Sequence, residues 1–487
     1  MIFYDGQEEL DNLVWDKNDE DTEKAQKQLR LTTFCQKVED LVQDKFGKPT
    51  KHVCPIIVGG FNVLYRVRVE GMSPDVMLRV PCPSLVPFPG EKTIYEAATA
   101  CLLADRTKLP VPRPTSYGED SDLGSFIIMQ HRDNNGSISA RLTRPSEDPS
   151  SPHVLSPNVS DSTLYSIWGK VAHCLLQLSQ LTFPKIGSLV ETKEANYEVA
   201  GRPLSHNMAD MVRLANIPRC ILPPKYKTYV TTDEWYIALA EMHIAQLIFQ
   251  HNDLITSEDD CRNKYVSRQL FRRLAKEGRL STFGFSKDKW SHQSSKIPPE
   301  TLSPAPSSLD SFRLWGDDFR AGNILLTESD EIAALIDWEF TYAAPTQFIL
   351  DPPWWLLLET AEMWSPGLED WKATYEQSHK ASLPVPLSRY MRESWQTGRF
   401  FLSYAARKSW AFDAMYWNFL DERFFGDRDA SVTKDDLWKT RIHLLSEEER
   451  DAMEPFVKRK IEEGRERKIM EWDEEEAKKM FSQLLFD

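Results

Sequence analysis

The sequence predicts an α+β protein of two lobes, a small β-rich N-terminal lobe followed by a larger, mainly helical C-terminal lobe. Three observations predict it. Apolar and polar residues alternate in short runs between about Ile56 and Met129, interrupted by one helical stretch. Beyond residue 160 the apolar spacing is helical nearly throughout. The chain has 487 residues, 41% hydrophobic and 27% charged, with 15 Trp, 24 Phe and 15 Tyr, which suits a globular protein with a sizeable core and excludes large-scale disorder.

Taken in order, residues 20–47 carry Phe34, Val38, Leu41 and Val42 at helical spacing, which predicts an amphipathic helix within an N-terminal extension over 1–50. From about Ile56, Val63, Tyr65, Val67 and Val69 alternate with Leu64, Arg66 and Arg68, a strand signature. A break at Gly71-Met-Ser-Pro leads into a second strand, Val76 to Val80. A helix from Glu91 to Arg106 is stopped by Leu-Pro-Val-Pro-Arg-Pro at 109–114, and a further strand runs from Phe126 to Met129. This β-β-α-β order predicts a mostly antiparallel sheet carrying one helix, the N-lobe over 51–132. Residues 133–160, rich in Ser, Pro, Asn and Asp, read as a linker loop before a C-lobe over 161–445. There, Leu164–Leu181 is apolar all round, and Thr231-Thr-Asp-Glu234 is a capping box opening a helix through Phe249. Residues 281–310 form a second loop. Asn323-Ile-Leu-Leu and Ala333-Ala-Leu-Ile336 flank a turn as a buried hairpin. The charged segment 446–487, with Ile469, Met470, Trp472, Met480 and Leu484, predicts a docked amphipathic helix. No internal repeat is present.

Composition excludes several classes of function. The net charge of −15 argues against a nucleic-acid partner, because phosphate contacts need a basic footprint. The first residues lack a basic stretch followed by an apolar one, and no run approaches the ~18 apolar residues of a membrane span, so neither a signal peptide nor a membrane partner is expected. The cysteines at 35, 54, 82, 101, 174, 220 and 261 are far apart without a C-x-x-C, as in a cytoplasmic protein with reduced thiols; Cys101 and Cys174, in apolar helical surroundings, are expected to be inert. The basic run Arg262, Lys264, Arg268, Arg272, Arg273, Lys276 and Arg279 reads mostly as a solvated helix face. His173 and His243 are expected to be packed in apolar helices, and Trp354 and Trp355 to be core residues.

The most informative segment runs from Leu314 to Phe340. It holds D-x-x-x-x-N, from Asp318 to Asn323, then the apolar hairpin, then Asp337 after three apolar residues. Phosphoryl transfer needs such a set: one carboxylate to orient a hydroxyl and take its proton, and an amide oxygen and a second carboxylate to hold Mg2+ against the phosphates.

The phrase W-G-D-D-F-R-A-G-N-I-L-L, then L-I-D-W-E-F-T-Y-A-A-P and D-P-P-W-W-L-L-L-E from Asp351, resembles the aminoglycoside phosphotransferase/choline kinase-like small-molecule kinases, in particular their fungal branch. Phe183-Pro-Lys-Ile-Gly-Ser-Leu189 and Gly201-Arg-Pro-Leu204 are similar to that branch as well, and the match runs from about Cys54 to Glu359. The resemblance implies a protein kinase-like bilobal fold with the catalytic loop at 314–340. It implies Asp318 as catalytic base, Arg320 as a cation near the γ-phosphate, Asn323 and Asp337 as metal ligands, and Asp351 as a brace for the loop. Gly59, Gly60, Phe61 and Asn62 would be the glycine-rich turn over the phosphates. Arg79 would stand for the usual strand lysine, with Glu96 as its helix partner and Glu91 as the rival. Met129, Gln130 and His131 would meet adenine at the hinge. The expected activity is ATP- and Mg2+-dependent transfer of the γ-phosphoryl group to a hydroxyl of a small molecule. Two departures stand out: Gly316 occupies the place of the family's His, so the loop is held differently, and Asp317 adds a carboxylate, although the spacing to Asn323 selects Asp318. These departures motivate an alternative, a catalytically weak or inactive nucleotide-binding scaffold. Only thirteen residues separate Asp337 from Asp351, which leaves no room for a long activation loop and points to a small-molecule acceptor.

Overall fold

The computed structural model describes residues 11–144, 155–193, 196–306, 312–357 and 385–486. The N-terminal extension is two helices, α1 (Asn12–Leu29) and α2 (Thr32–Phe46), where the sequence suggests one. The chain breaks at Arg30-Leu31, and Leu31 is exposed. Val38 and Val42 of α2 are fully buried against the sheet, and Tyr65 Oη donates to Leu29 O at 2.6 Å.

That sheet is antiparallel, in the order β1-β2-β3-β5-β4, from β1 (Thr50–Val58), β2 (Asn62–Val69), β3 (Val76–Pro81), β4 (Pro114–Asp120) and β5 (Gly124–Gln130). The three central strands are those legible in the sequence. β1, which begins well before Ile56, and β4 were not, because both are edge strands whose half-exposed residues carry no clean alternation. Between β3 and β4 runs α3 (Pro89–Arg106), opened by Pro89 in its first turn.

The expected linker over 133–160 contains a short helix, α4 (Ile138–Leu142), with Ile138 and Leu142 buried; residues 145–154 lie outside the described residues. The C-lobe then comprises α5 (Asp161–Ser179), β6 (Thr182–Phe183), the hairpin of β7 (Ser188–Glu191) and β8 (Tyr197–Gly201), α6 (His206–Ala215), α7 (Thr232–Phe249) and α8 (Glu258–Lys276). Next come β9 (Phe312–Gly316), β10 (Ile324–Leu326), β11 (Ile332–Leu335), β12 (Thr341–Ala344), α9 (Leu387–Thr397) and α10 (Arg399–Arg407). At the start of α7, Thr231 accepts from Glu234 N at 3.2 Å, but Glu234 reaches back to Val230 N, so the cap is one residue out from a reciprocal box. The charged tail is two helices, α11 (Glu447–Glu463) and α12 (Glu474–Ser482), docked through Trp472, whose indole meets Phe249 edge-on at 5.1 Å and donates to Asn216 O. Among the described residues no helix is long and apolar enough to cross a membrane.

The basic run on α8 is not a solvated face. Lys264, Arg268 and Arg272 are buried, and of the seven cations only Lys276 is exposed. Each buried cation has its counter-charge: Arg268 forks to Asp413 at 2.6 and 2.9 Å, Lys264 reaches Asp260 at 2.7 Å, and Arg272 reaches Glu241 at 3.1 Å. His173 likewise differs from expectation and is exposed on α5. Cys101 and Cys174 are buried, and burial pushes their thiols up to about 11 and about 12, which keeps them unreactive.

His243 is fully buried on α7, its ring 4.3 Å from that of Phe412 and its Nδ1 3.2 Å from Ser409 Oγ. Burial, with Arg268 nearby, pushes it down to about 3, so it stays neutral in the native state. An unfolded histidine titrates near ~6.5, so below that pH the unfolded chain takes up a proton that the folded chain refuses. Stability therefore falls as pH drops from about 7 to about 4, by roughly 1.4 kcal/mol per pH unit at most from this group. Urea melts at a series of pH values should show a shallower acid limb in His243→Gln.

Candidate active site

β9 and β12 pair antiparallel, Gly316 opposite Thr341 and Trp315 opposite Tyr342, and Asp317 N donates to Phe340 O at 3.2 Å. This ladder fixes the loop after β9 against the segment before β12. At Gly316 the backbone approaches closely: a Cβ there would lie 2.8 Å from Phe319 Cβ. We expect Gly316→Ala to destabilise the fold by about 1–3 kcal/mol through overpacking, read from urea denaturation.

The two aspartates of the loop have different surroundings. Asp317 is buried, accepting from His206 N at 3.0 Å, Trp315 Nε1 at 3.2 Å and Arg407 Nη1 at 3.3 Å. Burial alone would raise its pKa, but Lys408 and Arg407 outweigh that and hold it below the usual carboxylate range. Asp317 thus anchors the loop, and Arg407 in turn lies 4.3 Å over the Trp315 ring. Asp318 is half-buried, 3.1 Å from Arg320 Nε, and its carbonyl accepts from Asn323 Nδ2 at 2.8 Å.

β10 and β11 form the short hairpin, Ile324 opposite Leu335, and Ile336 N donates to Asn323 O at 3.0 Å. The hairpin thereby brings Asn323 next to Asp337. Asp337 and Phe340 both have left-handed backbones, φ 67° and 56°, which is unfavourable for a bulky residue such as Phe340 and marks strain at the site. Carboxylate oxygens of Asp318, Asp337 and Glu339 all lie within 4.8 Å of one another. The Asn323 amide nitrogen donates to Asp318 O, and its Oδ1 offers lone pairs suited to a metal ion. This all-oxygen set fits a hard divalent cation such as Mg2+.

From the N-lobe, Arg79 on β3 is buried and makes ion pairs with Glu96 of α3, with Asp337, and with Glu339 at 3.0 Å. Burial opposes its charge, but Asp337, Glu96 and Glu339 hold it firmly protonated. Burial pushes Asp337 up to about 7 against the pull of Arg79, whereas Lys92 and Arg79 overcome burial at Glu339 and hold it at about 2. Glu91, the rival partner, instead takes Arg202 in a fork at 2.9 Å on both arms, tying α3 to the segment after β8. At Gly201 the end of β8 touches α3 so closely that a Cβ would meet the Tyr95 ring.

Gly59, Gly60, Phe61 and Asn62 form the turn between β1 and β2, closed by Gly59 N to Asn62 O at 2.8 Å. Phe61 leans onto the C-lobe, its ring 5.4 Å from His206 and 5.3 Å from Phe340. The side chain of Asn62 is buried and turned away from the turn's open side, so only its backbone is available to a phosphate there. Met129, Gln130 and His131 lie where β5 ends and the chain crosses to β10, with Asn135 N on Leu326 O; His131 N is committed to Asp75 O at 2.9 Å. Asp351 is buried and accepts from Ser394, while Asp317 supplies hydrogen bonds that tie the loop to His206 and Arg407.

No family model matches the chain, and no curated protein matches it. Solved structures that resemble it are small-molecule phosphotransferases and kinases. A macrolide 2'-phosphotransferase type I is 13% identical, with 85% of this chain and 98% of that one covered at a TM-score of 0.40. A Plasmodium vivax ethanolamine kinase is 12% identical over 87% and 93%, TM-score 0.39. A putative fructosamine-3-kinase from Haemophilus somnus is 10% identical over 87% and 96%, TM-score 0.36.

Hydrogen bonds and ion pairs bring Asp318, Arg320, Asn323, Asp337, Arg79 and Glu96 into one cluster. Sequence reasoning missed Glu339, although it lies two residues beyond Asp337 in the same phrase. It missed Lys92, whose signal is its place one turn before Glu96 on the same helix face. It also missed His206, which sits at the N-terminus of α6 with Nδ1 2.9 Å from Asp210. Burial would lower its pKa, but Asp210 raises it, and Asp210 itself is held at about 2.

Proposed function

We propose that the protein is an ATP- and Mg2+-dependent small-molecule kinase that transfers the γ-phosphoryl group to a hydroxyl of a metabolite or antibiotic-like compound. The observation that carries this reading is the convergence of Asp318, Asn323 and Asp337 with the Arg79–Glu96 pair from the opposite lobe. Asp318 orients the acceptor hydroxyl and takes its proton as the oxygen–phosphorus bond forms and the bond to the ADP oxygen breaks, the electron pair leaving with ADP. Asn323 and Asp337 would hold the metal, which when bound would neutralise charge on the phosphates. Arg79 braces Asp337 through its ion pair, and Arg320, partly exposed beside Asp318, supplies positive charge against the negative charge of the phosphoryl oxygens. The backbone of Gly59 to Asn62 covers the phosphates and the end of β5 at Met129 to His131 meets the base. Each of these last two assignments is tested by nucleotide binding, through Gly60→Pro and Met129→Pro.

One observation favours the scaffold reading: Arg79 is ion-paired to a metal ligand in this structure. The readings separate on turnover. A chain that melts higher with Mg2+ and ATP yet forms no phosphorylated product from any hydroxylated compound is the scaffold.

A further inference from the structure

Two consecutive residues of the glycine-rich turn meet two consecutive residues beyond the metal ligand. Phe61 touches Phe340 on the outside, and on the inside Asn62 Nδ2 donates to Glu339 Oε2 at 3.0 Å across 277 positions of sequence. Lys92 of α3 completes the inner layer: its ammonium donates to Asn62 Oδ1 at 2.8 Å, makes an ion pair with Glu339, and lies 3.6 Å from Glu96. All three side chains are buried, Asn62 to 4% exposure, Lys92 and Glu339 to 1%. Only one orientation of the amide works, because a flip would set its NH2 against the ammonium and its oxygen against the carboxylate.

We propose that Lys92, Asn62 and Glu339 form a latch that holds the glycine-rich turn in register with the Asp337 segment, making Lys92 a positioning residue for nucleotide binding. The inference rests on the reading of the cleft as a nucleotide site. Lys92 is sealed from the cleft at 1% exposure, so it acts through Asn62, which closes the turn, and through Glu339, two residues from Asp337. Arg79 reaches the same Glu339 oxygen as Asn62, so the latch shares one carboxylate with the pair that braces Asp337. Charge makes the three interdependent: removing Lys92 alone leaves Glu339 with Arg79 as its sole cation, whereas removing both charges leaves two amides that can bond each other.

The experiment is a double-mutant cycle on the full chain: Lys92→Met, Glu339→Gln and both together, titrated calorimetrically with a non-hydrolysable ATP analogue, with and without Mg2+, well below each variant's melting midpoint. The expected result is a Kd raised by about ten- to a hundred-fold in each single variant, with the double variant losing less than the product of the two. Asn62→Ala breaks both amide bonds without stranding a full charge and should weaken binding similarly, which keeps the test open where Lys92→Met does not fold. Folded Lys92→Met or Asn62→Ala with wild-type affinity overturns the latch, as does strict multiplicativity in the cycle. A wild-type chain that binds no analogue overturns the reading of the cleft and the latch with it, whereas wild-type binding retained in the variants overturns the latch alone.

Discussion

Asp318→Ala is expected to lower the rate of phosphoryl transfer by about 10²–10⁴-fold while leaving nucleotide affinity within about twofold. The split follows from the geometry. The Asp318 carboxylate, half-buried, pairs with Arg320 and takes no part in the ion pairs that join the lobes, which run through Arg79, Glu96, Asp337 and Glu339. On the proposed reading, removing it deletes the group that orients the hydroxyl and accepts its proton, and leaves the ion pairs between the lobes in place. Asp317→Ala should behave in the opposite way. It strands Arg407 and removes the acceptor for His206 N, so it should destabilise the fold by about 3–5 kcal/mol before its effect on rate is read. Chemical denaturation beside single-turnover rates distinguishes the two aspartates, and equal behaviour would contradict their assignment.

Arg79→Met carries the second large effect. The buried guanidinium is the shared counter-charge of Glu96, Asp337 and Glu339, and its loss leaves three carboxylates facing one remaining cation, Lys92. We expect a loss of about 3–5 kcal/mol in folding stability at neutral pH. The loss should be smaller at pH 5 than at pH 8: Asp337, already raised to about 7, takes up a proton at the lower pH and relieves the unpaired charge, whereas at the higher pH it cannot. Arg79→Lys should recover part of the stability, because one ammonium cannot fork to carboxylates on two sides. Urea midpoints of the three proteins at both pH values check this.

The candidate site was legible because its residues are compressed into one phrase: Asp318, Asn323 and Asp337 lie within twenty residues, and the hairpin that juxtaposes them is announced by its own apolar runs. The central strands and α3 were legible from local pattern, β2 by its alternation and β3 and β5 as short apolar runs buried on both faces. What hid was set by contacts between distant segments. The edge strands β1 and β4 are too exposed to alternate. The cations of α8 read as solvated because their partners, Asp413 and Glu241, lie on other elements. Lys92 carried no signal of its own, and the side chain of Asn62 found its partners only when Glu339 was placed beside them. Asp317 looked like a spare carboxylate, and its role emerged only with Arg407 and the backbone of His206 around it.

The most direct test of the central claim is to incubate the protein with Mg2+, γ-labelled ATP and a broad mixture of hydroxylated metabolites and aminoglycoside- and macrolide-type compounds, beside Asp318→Ala, and to follow the label into small molecules. The account predicts one or a few labelled products that form with the wild-type chain and disappear with the variant. Nucleotide binding by both proteins with no labelled product from that mixture or from a whole-cell extract would contradict it and leave the nucleotide-binding scaffold.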